Sequence, residues 1–512
     1  MKNDRISVRE KTYIVVFISN LCVSVVLGNL HIVSKRHNDT IKSLNRGVSD
    51  QISINQDILN GQVDNLRGKP GEGFSLEVEI GTPPQKLKVL IDTGSSNLAV
   101  ACAPNDDISS YFHKDRSTTF HDLGRNVDVP YTQGSWSGIL GTDKLTLSSF
   151  PGSTVTANIA CINEAKEFFI NGSNWQGIMG LGYAAIARPD SSVEPFVDSL
   201  VQGRGVPDIF SVQLCGLGHI KPNINGTVGG SVIFGGIVSR LYKGQLFSTP
   251  LHKQQYYEIV IIDVLVNDTS LNMDCKEYNF DRTIVDTGTT NFRLPHRVYN
   301  QVISMIKLYY QTATSTTSQT MPTDKFWNGE DDLCWRTGQV PYYYFPTVSF
   351  SLPSGDGKKF TLNVAPQQYL RPVGEENDDS LLDDCFKMGI SSSDTGSVLG
   401  AVVMEGFYVI FDRTNKQIQF GETTCGQVDN TAMTSSIQGY TKYDGDYTDC
   451  AYIKIDPKNK TLTIVGYVLA GICGLCITPL IVLVIQWHCR RSRCRKLKRS
   501  NSDFNDLMEE QR

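Results

Sequence analysis

"VLIDTGSSNLAV" (residues 89–100) carries an aliphatic run into one acid, Asp92, and then into a small hydroxyl-rich turn, Thr93-Gly94-Ser95-Ser96. A lone acid in such a turn is ordinarily a turn-former or a cap. About two hundred residues on, "TIVDTGTTNFRLP" (283–295) repeats the arrangement, with Asp286 leading into Thr287, Gly288, Thr289 and Thr290, and Asn again following. Twin copies in one chain read as an internal duplication in which each half brings one carboxylate.

Two carboxylates suit one kind of chemistry. Cleaving a peptide bond with water needs a base for the water and an acid for the carbonyl oxygen and the leaving amine. Two close carboxyls that share one proton supply both, because like charges side by side cannot both ionise cheaply. Asp92 and Asp286 are therefore the expected catalytic pair, and neither a metal nor a cofactor is called for. Gly94 and Gly288 are expected to permit tight turns that bring backbone N–H groups to the carboxylates. Ser95 and Thr289 can donate hydroxyls to the outer oxygens. Thr93 and Thr287 can reach across a pseudo-twofold axis and lock the turns together.

The rest of the body fits a duplicated β protein. "QGIMGLG" (176–182) and "GSVLGAVVMEGFYVIFD" (396–412) each hold two apolar residues and a glycine, Ile178-Met179-Gly180 and Val398-Leu399-Gly400. They read as buried strands beneath the two turns. "VPYTQGSWSG" (129–138) reads as a hairpin whose Tyr131 and Trp136 can pack on a substrate and exchange a hydrogen bond, as a lid does. Helices are few, with 295–311 the best candidate, whereas 311–324 and 374–384 read as solvated loops.

The chain has 512 residues, 40% of them hydrophobic, and a net charge of −5, which excludes nothing globular and does not favour nucleic acid. Basic residues before an apolar stretch from Tyr13 to Leu27, with Gly28 after it, form a secretory signal pattern over 1–28. Residues 463–485 carry no charge and match a bilayer-spanning helix. Seven Lys or Arg follow within 488–499, which places that side in the cytoplasm. The expected topology is a type I membrane protein of the secretory pathway, cell surface and endosomes, with its body lumenal. Eight of the 13 cysteines lie in that body: Cys102, Cys161, Cys215, Cys275, Cys334, Cys385, Cys425 and Cys450. An even set in an oxidising lumen favours four disulfides, though spacing alone fixes no connectivity. Asn171, Asn225 and Asn267 head glycosylation sequons.

The twin Asp-Thr-Gly motifs resemble those of the pepsin-type aspartic peptidases. From about Gly73 through the apolar span, the chain is similar to the membrane-anchored beta-secretases, or memapsins. Runs such as "FFINGSNWQGIMGLGYA", "MDCKEYNFDRTIVDTGTTNFRLP", "PQQYLRPV" and "GAVVMEGFYVIFDR" carry the likeness. The resemblance implies an all-β, bilobal acid-protease fold with few short helices plus one C-terminal transmembrane helix. It also implies a cleft for about eight substrate residues and cleavage of membrane-protein ectodomains in acidic compartments. Tyr131 matches the flap tyrosine. Thr132, Gln133, Trp136, Thr290 and Asn291 fall beside it or the second motif as substrate-binding positions, and Arg293 resembles a subsite arginine. The family's bridges map to Cys215–Cys425, Cys275–Cys450 and Cys334–Cys385. That leaves Cys102 and Cys161, expected to form a fourth. The second motif departs from the Asp-Ser-Gly of vertebrate beta-secretases, but threonine keeps the hydroxyl.

The expected organisation is a pro-segment over 29–70, amino-terminal and carboxy-terminal lobes over 71–210 and 211–450, a stalk over 451–462, the span, and a tail over 486–512. Implied partners are peptide segments of type I membrane proteins, the bilayer, and sorting adaptors reading Asp503 with Leu507-Met508; Cys473, Cys476, Cys489 and Cys494 sit where S-acylation occurs. Two other classes compete: a general lysosomal pepsin-like hydrolase, and a non-catalytic receptor on the same scaffold.

Overall fold

The computed structural model describes residues 66–452, apart from 70–72, 132–133, 172–174, 216–228, 316, 318–320, 337–340, 374–382 and 426–434, together with parts of 466–491. The expected signal, most of the expected pro-segment, Thr132, Gln133, Asn225, residues 453–465, Cys473, Cys489, Cys494 and residues 492–512 lie outside the described residues.

Eight strands build the first sheet: β1 (Arg67–Lys69), β2 (Gly73–Ile80), β3 (Gln85–Asp92), β4 (Leu98–Ala101), β5 (His121–Pro130), β6 (Ser135–Leu147), β7 (Phe150–Lys166) and β8 (Gly177–Gly180). Along β3 the side chains alternate as in a half-buried strand, with Leu87, Val89 and Ile91 in the core. The alternation breaks at Asp92, which is buried directly after Ile91. β8 is inserted between β3 and β4, parallel to the first and antiparallel to the second, so that Gly180 stands opposite Asp92.

The second half repeats this insertion. Ser397–Leu399 lies parallel to Thr283–Val285 and antiparallel to Phe292–Pro295. Thus Ile178-Met179-Gly180 and Val398-Leu399-Gly400 do occupy matching strands beside the two turns, as expected. A third sheet, of five strands, unites Gly230–Phe234, Ile209–Leu214, Phe407–Asp412, Gln417–Thr423 and Tyr242–Pro250. One apolar core runs through all of this, from Leu76 and Val89 to Phe350 and Phe411. The helix expected at 295–311 spans His296–Ala313 and buries Val298, Tyr299, Val302, Ile303, Ile306 and Tyr310, the spacing of one helical face.

Three observations bear on the expected organisation. β1 and buried Leu66, which pairs with Gly230, fall inside the range expected for the pro-segment and pack on the body. The lobe limit at 210 cuts the strand Ile209–Leu214, whose partner Phe407–Asp412 lies near the far end of the body. Among the described residues no helix is long and apolar enough to cross a membrane; 475–488 is helical, with exposed side chains.

All four disulfides are present, including Cys102–Cys161 with Cα atoms 5.2 Å apart; the others are Cys215–Cys425, Cys275–Cys450 and Cys334–Cys385. The first follows from register: β4 runs parallel to β7 with Val100 opposite Cys161, and the Cys102 amide donates to the Ile162 carbonyl at 2.9 Å. Asn171 and Asn267 are exposed in turns, where a glycan has room.

Candidate active site

Strands β3 and Thr283–Val285 end side by side, and each releases its aspartate into a turn of the same design. Asp92 and Asp286 are 5% and 7% exposed, buried far beyond the norm for carboxylates. Gly94 N–H donates to Asp92 Oδ1 at 2.8 Å and Ser95 Oγ to Oδ2 at 2.5 Å. Across the axis, Gly288 N–H donates to Asp286 Oδ1 at 2.9 Å and Thr289 Oγ1 to Oδ2 at 2.7 Å. Each carboxylate is thus held by one amide and one hydroxyl, with its remaining lone pairs open to the other.

The threonines lock the halves reciprocally. Thr93 N–H donates to Thr287 Oγ1 at 3.1 Å, and Thr287 N–H to Thr93 Oγ1 at 3.0 Å. Each hydroxyl then donates to a carbonyl of the opposite strand, Thr93 to Val285 and Thr287 to Ile91, both at 2.8 Å. All four bonds are buried, where an unmade bond costs most.

The Gly94 and Gly288 amides reach the carboxylates as expected, but the need for glycine there does not come from backbone freedom. Neither Gly94 nor Gly288 has a positive φ, so the backbone itself does not require glycine there. Space does. A Cβ on Gly94 would stand 2.8 Å from the Asp286 carboxyl carbon and both its oxygens, and one on Gly288 would overlap Asp92 Oδ1. Gly180 and Gly400 admit the turns from beneath: a Cβ on Gly180 would meet the amides of Ser96 and Asn97, and one on Gly400 the carbonyls of 289–291.

Burial, and then the charge of Asp286, push the Asp92 carboxyl well above the ordinary range, against the opposing pull of Ser95 and Gly94. Asp92 therefore keeps a proton at a pH where a free aspartic acid has lost it.

The hairpin of β5 and β6 stands beside this pair. Tyr131 N–H donates to the Gly134 carbonyl at 3.0 Å, closing the turn. Trp136, itself buried, donates Nε1–H to the Tyr131 hydroxyl at 3.3 Å, and the Tyr131 ring stacks on Phe168 with centroids 5.5 Å apart. Burial, then the nearby Asp92 charge, push the Tyr131 phenol up, so it stays a protonated donor. Arg293 stands half-exposed on Phe292–Pro295, opposite Ser391 and Val398, with no ion partner among the described residues. Thr290 accepts the Val402 amide through its carbonyl at 3.0 Å, and Asn291 holds a buried Oδ1 without a hydrogen-bond partner among the described residues.

Several residues of the site carry no sequence signal. Tyr257 is wholly buried beneath the turns and donates its hydroxyl to the Leu181 carbonyl at 2.6 Å. Arg413, also buried, bonds Asp198 at 2.8 Å, faces Asp208 at 3.3 Å and lies over the Tyr183 ring at 4.8 Å. Asn97 bridges both ways to the Arg188 backbone at 2.8 Å. These contacts join segments far apart in the chain, and only a repeated Asn after each motif hinted at one of them.

A duplicated β body that holds two buried carboxyls in matching amide-and-hydroxyl cradles defines the aspartic class of endopeptidase. The comparisons agree: the family model for "Eukaryotic aspartyl protease" matches residues 73–423, more than half of the 512 residues, and the chain belongs to that family. It is 42% identical to a beta-secretase of Strongylocentrotus purpuratus, over 95% of this chain and 94% of that protein. It is 26% identical to pepsin II-1 of Oryctolagus cuniculus over 74% of this chain and 92% of the other. With cathepsin E-A of Xenopus laevis it shares 28% identity over 67% and 77%.

Proposed function

We propose that Asp92 and Asp286 share one proton and activate a water between them, and that the enzyme is a membrane-anchored, beta-secretase-type endopeptidase cutting ectodomains of type I membrane proteins in acidic secretory and endosomal compartments. The matched cradles around the two carboxyls support the catalytic part. One carboxylate takes a proton from water as its oxygen attacks the peptide carbonyl carbon, while the proton held on the other passes to the carbonyl oxygen. The tetrahedral adduct then collapses as a proton reaches the leaving nitrogen, and the pair is left with one proton again. Tyr131 and Trp136 close over the peptide, and Thr132 and Gln133, which lie outside the described residues, are taken as contacts to it from the sequence alone. Thr290, Asn291 and Arg293 line its path on the other side.

Likeness to the beta-secretase over 95% of the chain, together with the charge-free 463–485 and the basic 488–499 read from the sequence, supports the anchored, lumenal arrangement. Tethering restricts the enzyme to targets in its own membrane, with glycans on Asn171, Asn225 and Asn267 facing the lumen and the tail open to sorting adaptors. The test compares the full chain with a chain ending at residue 452. Both should cleave a free peptide equally, and the shorter one should cut a bilayer-anchored reporter far more slowly. Equal cleavage of the anchored reporter leaves a general hydrolase instead.

A further inference from the structure

A second connection between the two halves lies beneath the threonine lock, and it has no counterpart among the described residues. Glu258 of the short strand Tyr257–Glu258 pairs with Ile284, two residues before Asp286, and Ile259 N–H donates to the Thr283 carbonyl at 2.9 Å. Tyr257 is thereby fixed to the strand that delivers Asp286. Its phenol crosses to the other half and donates to the Leu181 carbonyl at 2.6 Å, and Leu181 N–H donates in turn to the carbonyl of Asp92 itself at 2.8 Å. In the repeated half Ala401, which follows Gly400 as Leu181 follows Gly180, donates to the Thr289 carbonyl instead, and its own carbonyl accepts from Glu405 N–H. The two catalytic turns are therefore supported differently.

The ring is held rigidly for this task. Tyr257 is 0% exposed, with Phe411 at 4.6 Å, Tyr183 at 5.2 Å and Phe210 at 5.7 Å between centroids. Burial pushes its phenol well above the ordinary range, with Arg413 opposing, so the hydroxyl remains a donor through the working pH range. No substrate atom can reach it.

We propose that Tyr257 is a positioning residue for peptide hydrolysis: through Leu181 its hydroxyl sets Asp92 against Asp286 and so fixes the spacing at which the two carboxyls share their proton. This rests on the reading of those aspartates as the catalytic pair. The test uses the full-length enzyme, with active sites counted by titration with a tight hydroxyethylene-type inhibitor so that any unfolded fraction drops out. Tyr257→Phe keeps the ring and removes one buried hydrogen bond. It should lower kcat about tenfold, the rate equivalent of one such bond, with KM unchanged. Looser spacing weakens the coupling of the carboxyls, so the alkaline limb of the activity profile should move to lower pH. Tyr369→Phe is the comparison: that phenol is equally buried and donates to the Pro346 carbonyl at 2.5 Å, bonding neither turn. It should lower the melting temperature and leave kcat and the pH profile alone. A wild-type kcat and profile in Tyr257→Phe overturns the proposal, as does the same pair of changes in Tyr369→Phe. Asp92→Asn, assayed alongside, separates the two levels. If it keeps activity, the paired-carboxyl reading itself fails. If it is inactive while Tyr257→Phe behaves as wild type, only the role of Tyr257 falls.

Discussion

At the scale of single residues, the site turns on removing everything that keeps two carboxylates apart. Gly94 matters because a methyl there would sit 2.8 Å from the Asp286 carboxylate. Gly94→Ala should fold and be secreted yet lose about a hundredfold or more in kcat/KM, the penalty for moving a reacting group by roughly an ångström; cleavage of a quenched fluorescent peptide measures it. The raised Asp92 carboxyl also has a signed consequence for stability. Its folded state holds a proton that the unfolded chain gives up at about pH 3.9, so its contribution is fully present below that and is lost as pH rises towards the raised value. Asp92→Asn removes this loss. Its melting temperature should exceed the wild type's near neutrality, and the gap should close as the pH falls below about 4. An equal or lower melting temperature at neutral pH contradicts the assignment.

At the scale of elements, two short strands and two turns carry the chemistry, and the bonds between them are all buried. Thr93→Val removes one hydroxyl that both accepts the Thr287 amide and donates to the Val285 carbonyl. It should cost about 2 kcal/mol or more of stability, read by denaturant unfolding, and Thr287→Val should match it because the lock is symmetric. The hairpin depends on a weaker bond: Trp136→Phe leaves the Tyr131 hydroxyl without its indole donor and should lower kcat/KM several-fold with stability little changed, checked by the same peptide assay. These parts were legible in the sequence because they are local and repeated. Asp-Thr-Gly followed by Ser or Thr states donor, acceptor and turn within four residues, and the second copy removed the ambiguity of the first. What the glycines are for was not legible, since the group each one admits lies on the other half of the chain. Tyr257 and Arg413 were hidden for the same reason. A tyrosine in "QQYYEI" shows no period or motif, and its bond to Leu181 spans 76 positions.

At the scale of the whole molecule, the chain closes on itself through the five-stranded sheet, where Ile209–Leu214 pairs with Phe407–Asp412. The strand's neighbour in space is about two hundred residues away in sequence, a pairing that local composition and turn signals do not carry. The cysteines supply the other long-range ties. Cys102–Cys161 closes a segment of 59 residues' separation that contains the flap hairpin. Replacing both by Ala should cost about 4 kcal/mol by chain entropy, seen as a lower melting temperature, while the catalytic turns keep their geometry and kcat changes little. An unchanged melting temperature means that the bridge does not constrain the unfolded chain.

The central claim is that Asp92 and Asp286 act as one unit with one proton. It is tested most directly by single-turnover peptide cleavage at acidic pH by Asp92→Asn, Asp286→Asn and the double variant, each shown to be folded. Each single substitution should lower the rate by several orders of magnitude, and the double variant should be scarcely slower than either, because removing one member already disables the unit. Losses that add in the logarithm of the rate, or substantial cleavage by either single variant, contradict it.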